Sequence, residues 1–124
     1  MAGDRGRRVD KPWGHELIWA ETDRYVGKII SIAPGKRLSL QKHLKKDESV
    51  LVLRGTLRLH LQNEAGDVEI HDLVPGEHAR VHVGRIHRFE ALAETVEVVE
   101  VSTPELDDVV RLEDDYSREG TNEP

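Results

Sequence analysis

The 124-residue chain has no cysteine and no long apolar run. Without cysteine it can form neither a disulfide framework nor a thiolate metal site, and this composition suits the reducing cytosol. No window approaches the roughly 18 apolar residues of a membrane-spanning helix, and no apolar segment follows the basic N-terminal residues as it would in a secretory signal. We therefore expect a cytoplasmic protein that does not enter a membrane.

Concentrated positive charge is also missing. The formal net charge is -6, and the 18 lysines and arginines are scattered along the chain. A nucleic-acid partner is not expected, because its phosphates need a basic surface. The length leaves room for one domain with a single core. We place that domain at residues 9–118 and interpret residues 1–8 and 119–124 as disordered tails.

What the sequence does contain is a series of short β-branched runs separated by turn residues. Gly, Pro, Asn or Asp punctuates the chain between them. The runs cover residues 25–32, 49–53, 56–61, 68–73, 78–83, 89–92 and 96–102. Their spacing predicts seven or eight strands of an all-β sandwich or barrel in which helix is a minor element.

The segment from Leu38 to His43 carries the strongest indication of chemistry. Side chains alternate along a strand, so we expect Gln41 and His43 on one face. A later carboxylate, Glu48, and a later imidazole, His87, could close around the same point. Such a combination of side chains can hold a divalent metal.

Five ordered segments carry a resemblance to a known family. They are Lys11-Pro12-Trp13-Gly14, residues 33–43, Gly84-Arg85-Ile86-His87-Arg88, Val99-Glu100-Val101 and residues 107–116. The chain resembles a cupin, and it is similar to the C-terminal isomerase domain of the bifunctional type II phosphomannose isomerases, mannose-6-phosphate isomerase/mannose-1-phosphate guanylyltransferase. The resemblance implies a double-stranded β-helix, which is a small jelly-roll barrel with its site at the mouth. It also implies that the Trp13 segment and residues 109–116 pack on the barrel.

The chain departs from the cupin pattern at the metal ligands. Cupins usually carry a second histidine two residues after the first, and here that position is Lys45, whose ammonium has no lone pair for a metal. The related type I phosphomannose isomerases use a Gln-x-His pair with a glutamate and a distant histidine, and residues 41–43 look like that pair. The resemblance thus implies a metal site of Gln41, His43, Glu48 and His87. These donors suit zinc, while manganese, iron and nickel stay open.

If the family chemistry is retained, the reaction is the interconversion of mannose 6-phosphate and fructose 6-phosphate. It moves a proton between adjacent sugar carbons and needs an electrophile at the carbonyl, which the metal would supply, and a base. The candidates for the base or proton shuttle are Glu48, Lys45, His82 and Glu100. Strand alternation is expected to project Lys45 to the side of Gln41 and His43. The candidates for binding the phosphate are Arg37, Arg85, Arg88 and Lys11.

Two other classes of function stay open. The chain could be a non-catalytic sugar-binding or regulatory cupin, with or without a metal, because it lacks several family residues. It could also be another metal-cupin enzyme, such as an epimerase or dioxygenase. If the chain is an isomerase, its expected partner is a small sugar phosphate. We also expect a homodimer, because self-association protects edge strands and apolar surface.

Overall fold

The computed structural model describes residues 2–120, which form two antiparallel β-sheets and no helix. The strands are β1 (Arg7–Lys11), β2 (Gly14–Glu21), β3 (Val26–Ile32), β4 (Leu40–Lys42), β5 (Glu48–Arg54), β6 (Leu57–Gln62), β7 (Val68–Leu73), β8 (His78–Val81), β9 (His87–Ala91), β10 (Val96–Ser102) and β11 (Val110–Glu113). This part of the chain therefore contains no helix of the length and apolarity that crossing a membrane requires. Met1 and residues 121–124, which belong to the predicted tails, lie outside the described residues.

The two sheets pack face to face around one core. The larger sheet has the order β1-β2-β3-β10-β5-β8, and the smaller sheet has the order β11-β4-β9-β6-β7. Strands that are distant in sequence are neighbours in both sheets, as in a jelly roll. Ile30 and Val52 of the larger sheet and Leu59 and Phe89 of the smaller sheet are among the buried core residues. The predicted all-β class is confirmed.

Strand alternation decides which polar side chains enter the barrel. In β5 the side chains of Glu48, Val50 and Val52 are buried, whereas Leu51 and Leu53 are exposed on the outer face. The apolar members of the inward row hold the strand against the core, because each buried aliphatic side chain contributes roughly 1.5–3 kcal/mol. Glu48 is carried inside by the same periodicity.

The seven predicted runs correspond to β3 and to β5 through β10, and their ends agree to within two residues. Strands β1, β2 and β11 were not predicted as strands. β1 begins at Arg7, so Arg7 and Arg8 of the predicted tail lie in a strand, where they pair with Ile18 and Leu17. β1 is an exposed edge strand, and for that reason its sequence carries no apolar alternation.

Both segments expected to pack on the barrel do so. Trp13 is only 3% exposed and belongs to the core cluster, and β11 pairs with β4. Gly14 follows Trp13 with a φ of 154°, and a Cβ there would collide with the carbonyl oxygen of Ser31. The close approach of β2 to β3 therefore requires glycine at this position.

Candidate metal centre

His43, Glu48 and His87 converge at one end of the barrel. Glu48 opens β5 and His87 opens β9, while His43 follows directly after β4. One ligand atom from each lies within 4.8 Å of the others, and all three side chains are buried. The Oε1 atom of Glu48 lies 3.0 Å from Nε2 of His87 and 3.3 Å from Nε2 of His43. The structure thus brings together three of the four residues predicted for the metal site.

Backbone carbonyls select the tautomer of both histidines. Nδ1 of His43 lies 2.5 Å from the carbonyl oxygen of Asp108, and Nδ1 of His87 lies 2.9 Å from that of Arg85. A carbonyl oxygen only accepts hydrogen bonds, so each Nδ1 carries the proton and donates it. In the neutral rings the Nε2 lone pairs then point at the Glu48 carboxylate.

This arrangement fits a divalent cation. Within residues 2–120, Oε1 of Glu48 and Nε2 of His87 are buried atoms without a hydrogen-bond partner. Two lone pairs and a carboxylate oxygen facing one another repel unless positive charge lies between them, and metal-ligating histidines commonly donate their other N–H to a carbonyl or carboxylate. Two imidazoles and a carboxylate are also ligands that zinc and other divalent transition metals accept. The group could therefore hold a metal.

Gln41 lies beside this group. It is paired with His87 between β4 and β9, and directly opposed residues present their side chains to the same face of a sheet. Gln41 also lines the same cavity as His43 and Glu48. Its side-chain Oε1 accepts a hydrogen bond from the Ser39 hydroxyl at 3.4 Å. The structure thus places Gln41 on the metal side of the barrel.

His43 and Glu48 line a cavity of about 380 Å³ inside the barrel. Its apolar wall includes Trp13, Ile18, Ile30, Leu38 and Phe89. Its ionisable lining residues are Arg7, Lys11, Glu16, Lys28, His43, Lys46, Glu48, Glu100, Asp107, Arg111 and Arg118. An apolar enclosure with convergent polar groups is typical of a small-molecule site.

Five buried ionisable side chains, alternately acidic and basic, cross the cavity. We call Glu16, Lys28, Glu100, Lys46 and Glu48 the charge ladder. Along it, successive ammonium and carboxylate groups are separated by 3.1, 3.5, 3.5 and 3.2 Å. Sequence reasoning missed Glu16, Lys28 and Lys46. A signal did exist for Lys28, because it interrupts the inward-facing apolar row of Val26, Ile30 and Ile32 in β3.

The ladder shifts the pKa values of Glu48, Glu100 and Lys46. Burial would raise the pKa of Glu48, but attraction to the Lys46 ammonium holds it well below its usual range. Burial, together with repulsion from Glu48, raises the pKa of Glu100 to about 8. Burial would lower the pKa of Lys46, but attraction to Glu100 and Glu48 raises it instead. Glu48 is therefore the ionised carboxylate, while Glu100 retains a proton at neutral pH.

The expectation that strand alternation projects Lys45 into the site is wrong. β4 ends at Lys42, so residues 43–47 form a loop to which strand periodicity does not apply. Lys45 is exposed, and the neighbouring Lys46 enters the cavity and contacts Glu48.

Other predicted site residues lie away from the cavity. His82 is exposed just beyond β8. Arg88 is buried on the opposite face of β9, where its guanidinium donates to the carbonyl oxygens of Leu38 and Glu113. The catalytic roles predicted for Lys45, His82 and Arg88 therefore have no support from their positions. Glu100 does line the cavity.

Of the predicted phosphate ligands, Lys11 alone lines the cavity. Arg37 forms a paired contact with Asp115, and Arg85 donates to the carbonyl oxygen of Gln62. Sequence reasoning missed the other basic lining residues because β1 and β11, which carry Arg7 and Arg111, were not predicted as strands.

Comparison with known proteins links this geometry to one family. The family described as mannose-6-phosphate isomerase C-terminal matches residues 3–114. Mannose-1-phosphate guanylyltransferases from Salmonella typhimurium and Escherichia coli are each 34% identical to the chain over 116 residues. Those matches cover 90% of this chain but only 23% of either relative, so the chain spans less than a quarter of their length.

Solved structures support the cupin fold. The capsular polysaccharide assembling protein CapF from Staphylococcus aureus superimposes with a TM-score of 0.75 at 21% identity, over 90% of this chain and 33% of that protein. Oxalate decarboxylase from Bacillus subtilis also gives a TM-score of 0.75 at 21% identity, over 88% of this chain and 30% of that chain. At this identity the similarity establishes the fold, not the reaction.

Proposed function

Since the chain belongs to the mannose-6-phosphate isomerase C-terminal family, we propose that it is a metal-dependent sugar-phosphate isomerase that interconverts mannose 6-phosphate and fructose 6-phosphate. The observation that carries this proposal is a single cavity lined both by possible metal ligands and by basic side chains. Its volume of about 380 Å³ lies within the range of about 300–1,000 Å³ that small-molecule pockets occupy. Phosphorylated sugars are intracellular metabolites, so we also propose a cytoplasmic location.

The proposed metal ligands are His43, Glu48 and His87, with Gln41 beside them. A divalent metal held there, with zinc as the first choice, would supply a Lewis acid that polarises the sugar carbonyl. Elemental analysis identifies the metal. The protein must be untagged, because a histidine tag would itself bind metal.

Glu100 and Lys46 are the cavity groups proposed to handle protons. Both line the cavity next to Glu48. A pKa of about 8 makes the acidic and basic forms of Glu100 accessible near neutrality, which suits a group that takes and returns a proton. Lys46, whose pKa is raised, keeps its proton and is suited to donate hydrogen bonds to a sugar oxygen.

The phosphate is proposed to lie against the basic lining residues Arg7, Lys11, Arg111 and Arg118. Arg7 is exposed, and this marks the solvent side of the cavity. We expect Lys11→Ala to raise KM for mannose 6-phosphate by about tenfold, the equivalent of losing one charge-assisted contact of about 1.4 kcal/mol. Arg58→Ala is the control, since Arg58 pairs with Asp72 on the other sheet. An equal KM change in both variants would contradict this placement of the phosphate.

The decisive experiment uses untagged protein. Metal content is measured first, and conversion of mannose 6-phosphate to fructose 6-phosphate is then followed before and after chelation and reloading with Zn²⁺ or Mn²⁺. Conversion that disappears on chelation and returns with metal supports the isomerase. Metal-bound protein that neither binds nor converts the sugar phosphate would refute it.

A non-catalytic sugar-binding cupin is the second candidate, and the position of Lys46 favours it. The ammonium lies 3.2 Å from Oε2 of Glu48, so it already supplies part of the positive charge that this carboxylate needs. Binding of mannose 6-phosphate without conversion, measured by calorimetry, would select this candidate. Turnover of a different substrate by the metal-loaded protein would select another metal-cupin reaction.

We also propose that two copies pair through the outer face of the larger sheet. Leu17, Ile29, Val99 and Leu51 form one apolar row across β2, β3, β10 and β5. Trp19 lies over Gly27 next to this row, and it is 52% exposed. An apolar face of this kind suits an isologous interface with a second copy.

Light scattering tests the pairing. We expect a dimer for the unmodified chain and a monomer for Leu51→Glu, which places a charge in the middle of the row. Ile70→Glu introduces the same charge at an exposed position of β7 in the smaller sheet, and it should remain dimeric. A monomeric unmodified chain at all concentrations would refute the proposal.

A further inference from the structure

The loop that follows β4 is held by one residue from the C-terminal part of the chain. The Asp108 carboxylate accepts backbone N–H groups from three successive residues, at 3.0 Å from Leu44, 2.6 Å from Lys45 and 2.8 Å from Lys46. Three amides on one carboxylate form a compact anion cradle that fixes the path of the loop.

The same residue also contacts a proposed metal ligand. The backbone carbonyl oxygen of Asp108 accepts the Nδ1 proton of His43 at 2.5 Å. Asp108 thus has two kinds of contact with one short loop, one through its side chain and one through its main chain. His43 lies beyond the end of β4, so no strand ladder orients its ring.

We propose that Asp108 is the positioning residue of the metal centre. Its carboxylate holds the path of residues 44–46, and its carbonyl keeps His43 in the tautomer whose Nε2 lone pair faces Glu48. The same loop path carries Lys46 into the cavity. Asp108 would therefore position both the proposed ligand His43 and the ammonium group of Lys46. This inference rests on the proposed metal centre, and the metal would then bind to ligands that are already oriented.

Metal affinity is the first test. Asp108→Ala should weaken Co²⁺ or Zn²⁺ binding, measured by chelator competition, by about 10–100-fold, the usual effect of removing an outer-shell partner. Asp108→Asn keeps one carbonyl oxygen that can still accept the Lys45 and Lys46 amides, so its loss should be smaller. Asp115→Ala is the matched control, because it removes a carboxylate with two hydrogen bonds to Arg37 from the same C-terminal segment. It should leave affinity within about twofold of the unmodified chain.

A second readout needs no metal. In the metal-free protein, Asp108→Ala should increase hydrogen exchange at the amides of residues 44–46 and shift the ring-nitrogen resonances of His43. The ring nitrogens of His87 should shift less, because Nδ1 of His87 donates to the Arg85 carbonyl instead. Spectra that retain the dispersion of the folded protein show that the variant has folded.

The outcomes separate this inference from the proposed function. If the unmodified chain binds no metal, the metal centre fails, while the exchange and ring-nitrogen measurements still judge the role of Asp108. If the unmodified chain binds metal and Asp108→Ala binds it equally well, the positioning role is refuted. Equal losses in Asp108→Ala and Asp115→Ala would also refute it, since they would reflect general loosening of the segment.

Discussion

His43 and His87 are equivalent as possible ligands, but the chain positions them in different ways. His87 opens strand β9 and is completely buried, and its Nδ1 donates to the carbonyl of Arg85, two residues earlier. His43 lies in a loop, and its Nδ1 donates to the carbonyl of Asp108, 65 positions later. A ligand in a strand is oriented by local structure, whereas a ligand in a loop depends on a distant segment that must dock correctly.

The largest expected effect is loss of the metal. His43→Ala and His87→Ala should each reduce metal content from about one ion per chain to none, because two donors of the group cannot fill a site alone. His60→Ala is the control, since Nε2 of His60 contacts Glu90 outside the group at 2.8 Å. Elemental analysis of untagged variants decides this. If His43→Ala kept its full metal content while His87→Ala lost it, the two ligands that lie in strands, Glu48 and His87, would be sufficient to bind the metal.

The next effect tests the position of the loop. Lys46→Met leaves Glu48 without its buried ammonium partner and should destabilise the metal-free protein by about 3–5 kcal/mol, the usual cost of breaking a buried ion pair. Lys45→Met changes an exposed neighbour and should alter the free energy of unfolding by less than about 0.5 kcal/mol. Denaturant unfolding measures both values. Equal effects would mean that the loop does not direct one lysine inward and the other outward.

The smallest expected effect concerns pH. The folded pKa of Glu100 is about 8, above the ordinary value of 4.5, so between these values the folded state of the metal-free protein binds an additional proton. This proton binding by Glu100 stabilises the folded state fully below pH 4.5, and the stabilisation is lost as the pH rises through about 8.

Glu100→Gln removes this dependence. The stability of the variant relative to the unmodified chain should therefore rise with pH, by at most about 1.4 kcal/mol per unit. Denaturant unfolding from pH 5 to pH 8 measures the difference, with exposed Glu94→Gln controlling for the loss of one formal charge. A difference that does not change with pH would show that Glu100 does not hold its proton in the fold.

The strands were predictable where one face is buried. In β6 the buried Leu57 and Leu59 alternate with the polar side chains of Arg58 and His60, so the period of two is visible in the sequence. Strand β1 was not predictable in this way. It is an exposed edge strand, and its pairing with β2, not an apolar pattern, gives it its conformation.

The amino-acid sequence by itself determined the all-β class, the family and the identity of the three residues that converge in the candidate metal centre. These follow from local alternation and from motifs, both of which are present in the order of the residues. Tertiary structure alone decided that Lys46 and not Lys45 enters the cavity. The physical reason is that a loop has no intrinsic period, so its side chains take the directions set by a distant contact, here the Asp108 carboxylate.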